Sequence, residues 1–75
     1  MPSRAKEYSP KVYGQRLREA RTAAGLTQQQ LAERVGCTDR RVIWSHEAGT
    51  VDPSRSFILR AAAALAVDAG WLAAF

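Results

Sequence analysis

The chain has 75 residues, with 11 Lys and Arg against 7 Asp and Glu and a pI near 10. That length allows one small domain. The single Cys37 excludes an intrachain disulfide, and Cys37 with the single His46 cannot supply a four-ligand zinc site. No stretch approaches the ~20 apolar residues that span a bilayer, and the N-terminus lacks the apolar core of a signal peptide. A reducing cytoplasm is therefore expected. The basic charge suits a polyanion, nucleic acid before anionic membrane.

Residues 1–8 show no apolar periodicity and predict a flexible basic arm. Residues 9–75 are expected to form a single all-α domain. Ser9-Pro10 is a helix start, with Ser as N-cap and Pro at the first helical position. Val12, Tyr13, Leu17, Ala20 and Ala24 recur at spacings of three and four, the apolar face of a first helix that Gly25 stops. Thr27 and Gln30 have capping-box spacing at the head of a second helix, whose buried stripe is Leu31, Ala32 and Val35 and which ends at Gly36. Thr38 is placed to cap a third helix that runs to about Glu47 and closes at Gly49. Pro53 bars helix before it. Ser54 or Ser56 caps a fourth helix with Phe57, Ile58, Ala61, Ala62 and Leu65 inward. Asp68 caps a short fifth helix bearing Trp71 and Leu72. The expected architecture is a compact bundle of five helices.

The second and third helices, joined by a tight glycine turn, have the layout that places one helix in a DNA major groove. The chain resembles the phage repressor and Cro type of helix-turn-helix domain, the XRE family, over roughly residues 12–73. The resemblance rests on Leu17 and Arg21, then Gly25-Leu26-Thr27-Gln28, Leu31-Ala32, Gly36, Glu47 and Gly49. Pro53, the run Ala63 to Val67, and Trp71-Leu72 extend it downstream. One departure stands out: between Gly36 and Gly49 the chain has one residue more than the family usually has. Either Val42 is the core residue of the third helix and Glu47 is displaced by one, or Ile43 is the core residue and the extra position lies in or just after the turn.

The resemblance implies that Gln28 touches the DNA backbone, which suits a polar side chain beside the free amides of a helix start. It also implies an internal salt bridge between Arg21 and Glu47. Thr38, Asp39, Arg40 and Arg41 open the third helix, whose first turn reaches base edges. Arginine can grip guanine O6 and N7 in a bidentate way. Asp39 can accept from a cytosine amine or complement the helix dipole. Trp44 and Ser45 lie about a turn further on. Trp44 is either a core residue, the more frequent fate of a helical Trp, or an apolar contact to a thymine methyl or sugar. His46 is expected to be structural, packed where the family has a bulky apolar residue. Arg4, Lys6 and Lys11 are candidate contacts to phosphate or the minor groove. The first 21 residues hold six cations and two acids, so the whole net charge of +4 lies in the arm and first helix. Trp71, Leu72 and Phe75 crowd the C-terminus and are a candidate dimer contact.

The function expected is a sequence-specific, Cro-like or repressor-like regulator of phage or mobile-element type. It would bind a palindromic double-stranded operator as a homodimer, with no metal, cofactor, small-molecule ligand or membrane partner. The alternative is an antitoxin-type module that binds a partner protein and DNA only secondarily. No paired carboxylates, nucleophile–base set or phosphate loop supports an enzyme.

Overall fold

A computed structural model of the chain describes residues 9–73. Five helices follow in order: α1 Pro10–Ala23, α2 Gln28–Arg34, α3 Arg40–Ala48, α4 Arg55–Leu65 and α5 Ala69–Ala73. Among the described residues there is no strand, and no helix is long and apolar enough to cross a membrane.

The helix starts follow the side-chain chemistry of the sequence. Ser9 Oγ accepts the Lys11 and Val12 amides ahead of Pro10. Thr27 Oγ1 accepts the Gln30 amide at 3.0 Å while Gln30 Oε1 accepts the Thr27 amide at 2.8 Å, a complete capping box. Ser54, not Ser56, caps α4, through the Phe57 amide. Asp68 Oδ2 accepts the Trp71 amide at 2.8 Å. The third helix departs from expectation. Its N-cap is Asp39, which accepts the Arg41 amide at 2.9 Å, while Thr38 lies in the turn.

The turn between α2 and α3 is built on Gly36, at φ 87. There the Cys37 amide reaches back to Ala32 O at 2.8 Å and the Gly36 amide to Glu33 O at 3.2 Å. This pair of bonds satisfies carbonyls that the helix end would otherwise leave open, and it needs a left-handed residue between them. The same bond pair ends α4, where the Val67 and Ala66 amides reach Ala62 and Ala63 carbonyls. There the left-handed residue is Ala66, at φ 57.

The core is one cluster drawn from all five helices. Tyr13, Leu17, Leu31, Ile43 and Leu72 are its largest fully enclosed side chains. Val12, expected on the inward face of α1, is instead exposed, and Ala24 lies at the exposed end of the helix. The inward face is Tyr13, Gly14, Leu17 and Ala20, and Val12 is rotated about 100° from Tyr13 around a 3.6-residue helix. Helix α1 packs on α3, α4 and α5, and α2 packs on α3 and α4. This leaves one side of the α2–α3 pair uncovered.

Candidate nucleic-acid interface

Ile43 is fully buried in the core and Val42 only partly, which fixes the register of α3. Of the two readings, the one with Ile43 as the core residue is observed: Glu47 and Gly49 keep their register, and the extra position of the resemblance falls in the turn or just after it. With Ile43 inward, Arg40, Arg41 and Trp44 fall on the outer face and are exposed, with Ser45 half-buried beside them. Trp44 is 57% exposed, so of its two readings the place in the core is not the one observed, and it stands on the outer face. It follows Ile43 by one residue, which turns it about 100° away from the bundle.

Helix α3 is fastened from behind by two buried clusters. In the first, the Glu47 carboxylate accepts Arg21 Nε at 2.5 Å, Arg21 Nη2 at 3.1 Å and Gln28 Nε2 at 3.1 Å. Arg21 Nη1 also donates to Leu26 O at 2.9 Å. The expected Arg21–Glu47 pair is thus present, and its side chains are only 12% and 6% exposed. It joins α1, the head of α2 and the end of α3. In the second cluster, Tyr13 Oη and His46 Nδ1 share a hydrogen bond of 2.7 Å, and the His46 ring lies 4.1 Å from that of Phe57. Burial pushes the His46 pKa below its ordinary 6.5, because the charged imidazolium would lose its hydration. His46 is packed in the core, in line with its expected structural place.

At the head of α3, Asp39 and Arg41 form a surface pair. Asp39 Oδ1 accepts the Arg41 amide at 2.9 Å and Nε at 3.1 Å, and Oδ2 accepts Nε at 3.0 Å and Nη2 at 2.7 Å. The guanidinium and amide of Arg41 hold the Asp39 carboxyl at a pKa of about 2, so the carboxylate stays ionised well below neutrality.

A hollow of about 300 Å³ opens between α1, α2 and α3, lined by Arg18, Arg21, Gln28, Trp44, Glu47 and Ala48. It brings Gln28 and Trp44 together, and it adds Arg18, which the sequence reading counted only as charge. Arg18 stands three residues before Arg21, so it shares that side of α1. The spacing was the available signal. Lys11 is exposed in the first turn of α1 and lies against Gly49 at the end of α3. Thr38 is exposed, and its carbonyl faces Gln29 Nε2 at 3.5 Å. Arg4 and Lys6 lie outside the described residues.

At the far end, Trp71 is 38% exposed while Leu72 is fully buried. Leu72 is therefore a core residue and cannot contribute to a dimer contact. Phe75 lies outside the described residues. Arg16 stacks over the Trp71 ring at 5.4 Å from its centroid and donates Nη1 to the Trp71 carbonyl, latching α5 to α1.

The sequence profile of the helix-turn-helix domain matches residues 12–75. The chain belongs to the helix-turn-helix domain family. Among solved structures, this helix-turn-helix protein is similar to the restriction-modification controller protein C.AhdI from Aeromonas hydrophila. The two are 41% identical with a TM-score of 0.78, over 84% of this chain and 94% of that one. It is also similar to the hypothetical transcription factor NHTF from Neisseria, at 28% identity and a TM-score of 0.81, over 97% of this chain and 85% of that one. The clp gene regulator ClgR from Corynebacterium glutamicum shares the fold, at 22% identity and a TM-score of 0.78 over 84% of this chain and 66% of that one. No curated protein matches the chain. The helix-turn-helix is of the repressor and Cro type, with α2 and α3 as its two helices.

Proposed function

We propose that the protein is a sequence-specific regulator of transcription that binds double-stranded DNA by inserting the first turns of α3 into the major groove. The observation that carries this reading is the outer face of α3: Arg40, Arg41, Trp44 and Ser45, none of them buried, over an inner face locked by Ile43, His46 and Glu47. A helix held rigidly from behind and exposed in front is what base readout requires, since each base contact depends on placement of the whole helix. Arg40 and Arg41 are the candidate base contacts. Gln28, Thr38 and Lys11 are candidate backbone contacts, with Arg18 beside them across the hollow. Arg4 and Lys6 would add phosphate contacts from the arm. Asp39 acts at the same helix start.

The operator is proposed to be palindromic and bound by a homodimer. One module of this size buries too little DNA surface for tight binding alone, and a two-fold pair would set half-sites ~34 Å apart. Exposed Trp71 on α5 is the patch offered for that pairing. Occupation of the operator would exclude polymerase, a Cro-like or repressor-like action. The 41% identity to a restriction-modification controller supports a regulatory switch of this general kind.

Selection of bound duplexes from a random DNA pool tests the reading. A palindromic enriched site, bound two chains per duplex, is the expected result. Retention of DNA with no enrichment above a salt-sensitive background would overturn it.

A further inference from the structure

We propose that Asp39 is a positioning residue for base recognition: it clamps the inner edge of the Arg41 guanidinium and thereby dedicates the outer edge to a guanine. The inference rests on the reading that α3 enters the major groove. A guanidinium carries five N–H groups in a planar fork. In the free protein the Nε hydrogen and one Nη2 hydrogen are already given to the Asp39 carboxylate, at 3.0 and 2.7 Å. The two hydrogens that project forward, one on each Nη, are parallel and match the O6 and N7 acceptors of guanine. Adenine offers a donor in place of O6, so the same fork meets a mismatch there.

Three features favour this role over direct reading of a cytosine amine by Asp39. Both carboxylate oxygens are already engaged by Arg41, through its side chain and its amide. The carboxylate is anchored to the backbone as the N-cap of α3, so the clamp moves with the helix and not as a loose side chain. And the Arg41 side chain is 84% exposed, so the clamp holds it while leaving it accessible. The low pKa of Asp39 keeps the clamp charged across the physiological range. An acidic group on a DNA-facing surface weakens attraction to phosphate at every sequence alike. Orientation of Arg41 strengthens binding only where a guanine waits. The two effects therefore separate in an experiment.

The test uses the full chain and its selected duplex, the same duplex with each half-site guanine replaced in turn by adenine, and a scrambled duplex, all by fluorescence anisotropy. The wild type is expected to prefer one guanine over adenine by roughly tenfold, and Arg41→Ala, which removes every side-chain donor, to abolish that preference at the same position. Asp39→Asn keeps an N-cap of equal quality. It should reduce the preference to roughly twofold, tighten binding to the scrambled duplex, and leave the melting temperature unchanged. Asp39→Ser, a second capping residue, should do the same, which keeps the test open should one variant fold poorly. An unchanged guanine preference in both Asp39 variants overturns the proposal, as does a preference insensitive to Arg41→Ala. Absence of any selected duplex would instead defeat the DNA-binding reading on which the proposal stands.

Discussion

Glu47→Ala isolates what holds the recognition helix in place. The carboxylate is only 6% exposed and accepts from Arg21 twice and from Gln28 once. Its removal strands a guanidinium that is itself 12% exposed. Breaking a buried pair from one side costs ~3–5 kcal/mol. Here the lower end applies, because Arg21 keeps its bond to Leu26 O and borders a hollow that admits water. A domain of this length is stable by roughly 4–11 kcal/mol, so a loss of about 3 kcal/mol is a large share. At ~4–8 °C per kcal/mol, the melting temperature should fall by roughly 12–24 °C. Glu33→Ala is the matched control: the residue is exposed on α2 and its carboxylate accepts from Gln29 Nε2 at 3.2 Å, a bond on the surface. Its effect should stay within ~0.5 kcal/mol. Melts followed by far-UV circular dichroism decide the matter, and equal melting temperatures for the two variants would refute the account.

Three other perturbations follow from the packing. In Gly14→Ala, the new Cβ would lie 2.5 Å from His46 O and 2.7 Å from Glu47 O, both backbone atoms of α3. Alanine gains ~1 kcal/mol of helix propensity, but overpacking against rigid backbone costs ~1–3 kcal/mol or more. A net loss of about 1–2 kcal/mol is expected, and a higher melting temperature would contradict the close approach of α1 and α3. Ala66→Gly should do the opposite. It relieves a left-handed alanine that costs ~1–2 kcal/mol, against ~0.4–1 kcal/mol of added unfolded-state freedom. The urea midpoint should rise with its slope unchanged. Finally, the depressed pKa of His46 means that the unfolded chain binds its proton first as pH falls. Stability should therefore be flat above about pH 7 and decline below about 6.5, by up to ~1.4 kcal/mol per pH unit for the one proton involved. His46→Leu should remove that slope between pH 6.5 and the carboxylate range, and persistence of the slope would assign it elsewhere.

Much of the fold is legible in the residues because its signals are local. Ser9-Pro10, the Thr27–Gln30 box and the glycine after α2 each act within four residues, and the structure uses all three as the spacing predicts. What resisted reading is what depends on which way a helix faces. Trp44 and Val12 are large and apolar, and composition alone sends such residues inward. Their exposure follows from a neighbour, Ile43 or Tyr13, taking the inward slot. The Tyr13–His46 bond was missed for a related reason. It depends on helix α1 crossing α3, a contact between segments about thirty residues apart that no local pattern encodes.

The extra residue of the turn joins these strands. Ile43, His46 and Glu47 are in register with the core, and the helix starts at its Asp39 cap, upstream of all three. The cap, Arg40 and Arg41 are then consecutive, and a carboxylate that must be at the N-cap to satisfy the helix stands two residues from an arginine it can hold. Had the extra residue fallen inside α3, the Glu47 carboxylate would have turned about 100° away from Arg21, and the buried anchor would have been lost to keep the same surface. The end of α2 is closed by the Gly36 and Cys37 amides, which donate to the Glu33 and Ala32 carbonyls, so these bonds do not involve the residues from Thr38 onward. The anchored inner face and the altered outer edge are thus independent of each other. Changes at Asp39 and Arg41 should shift which DNA is preferred, whereas changes at Glu47 should shift whether the helix is held at all.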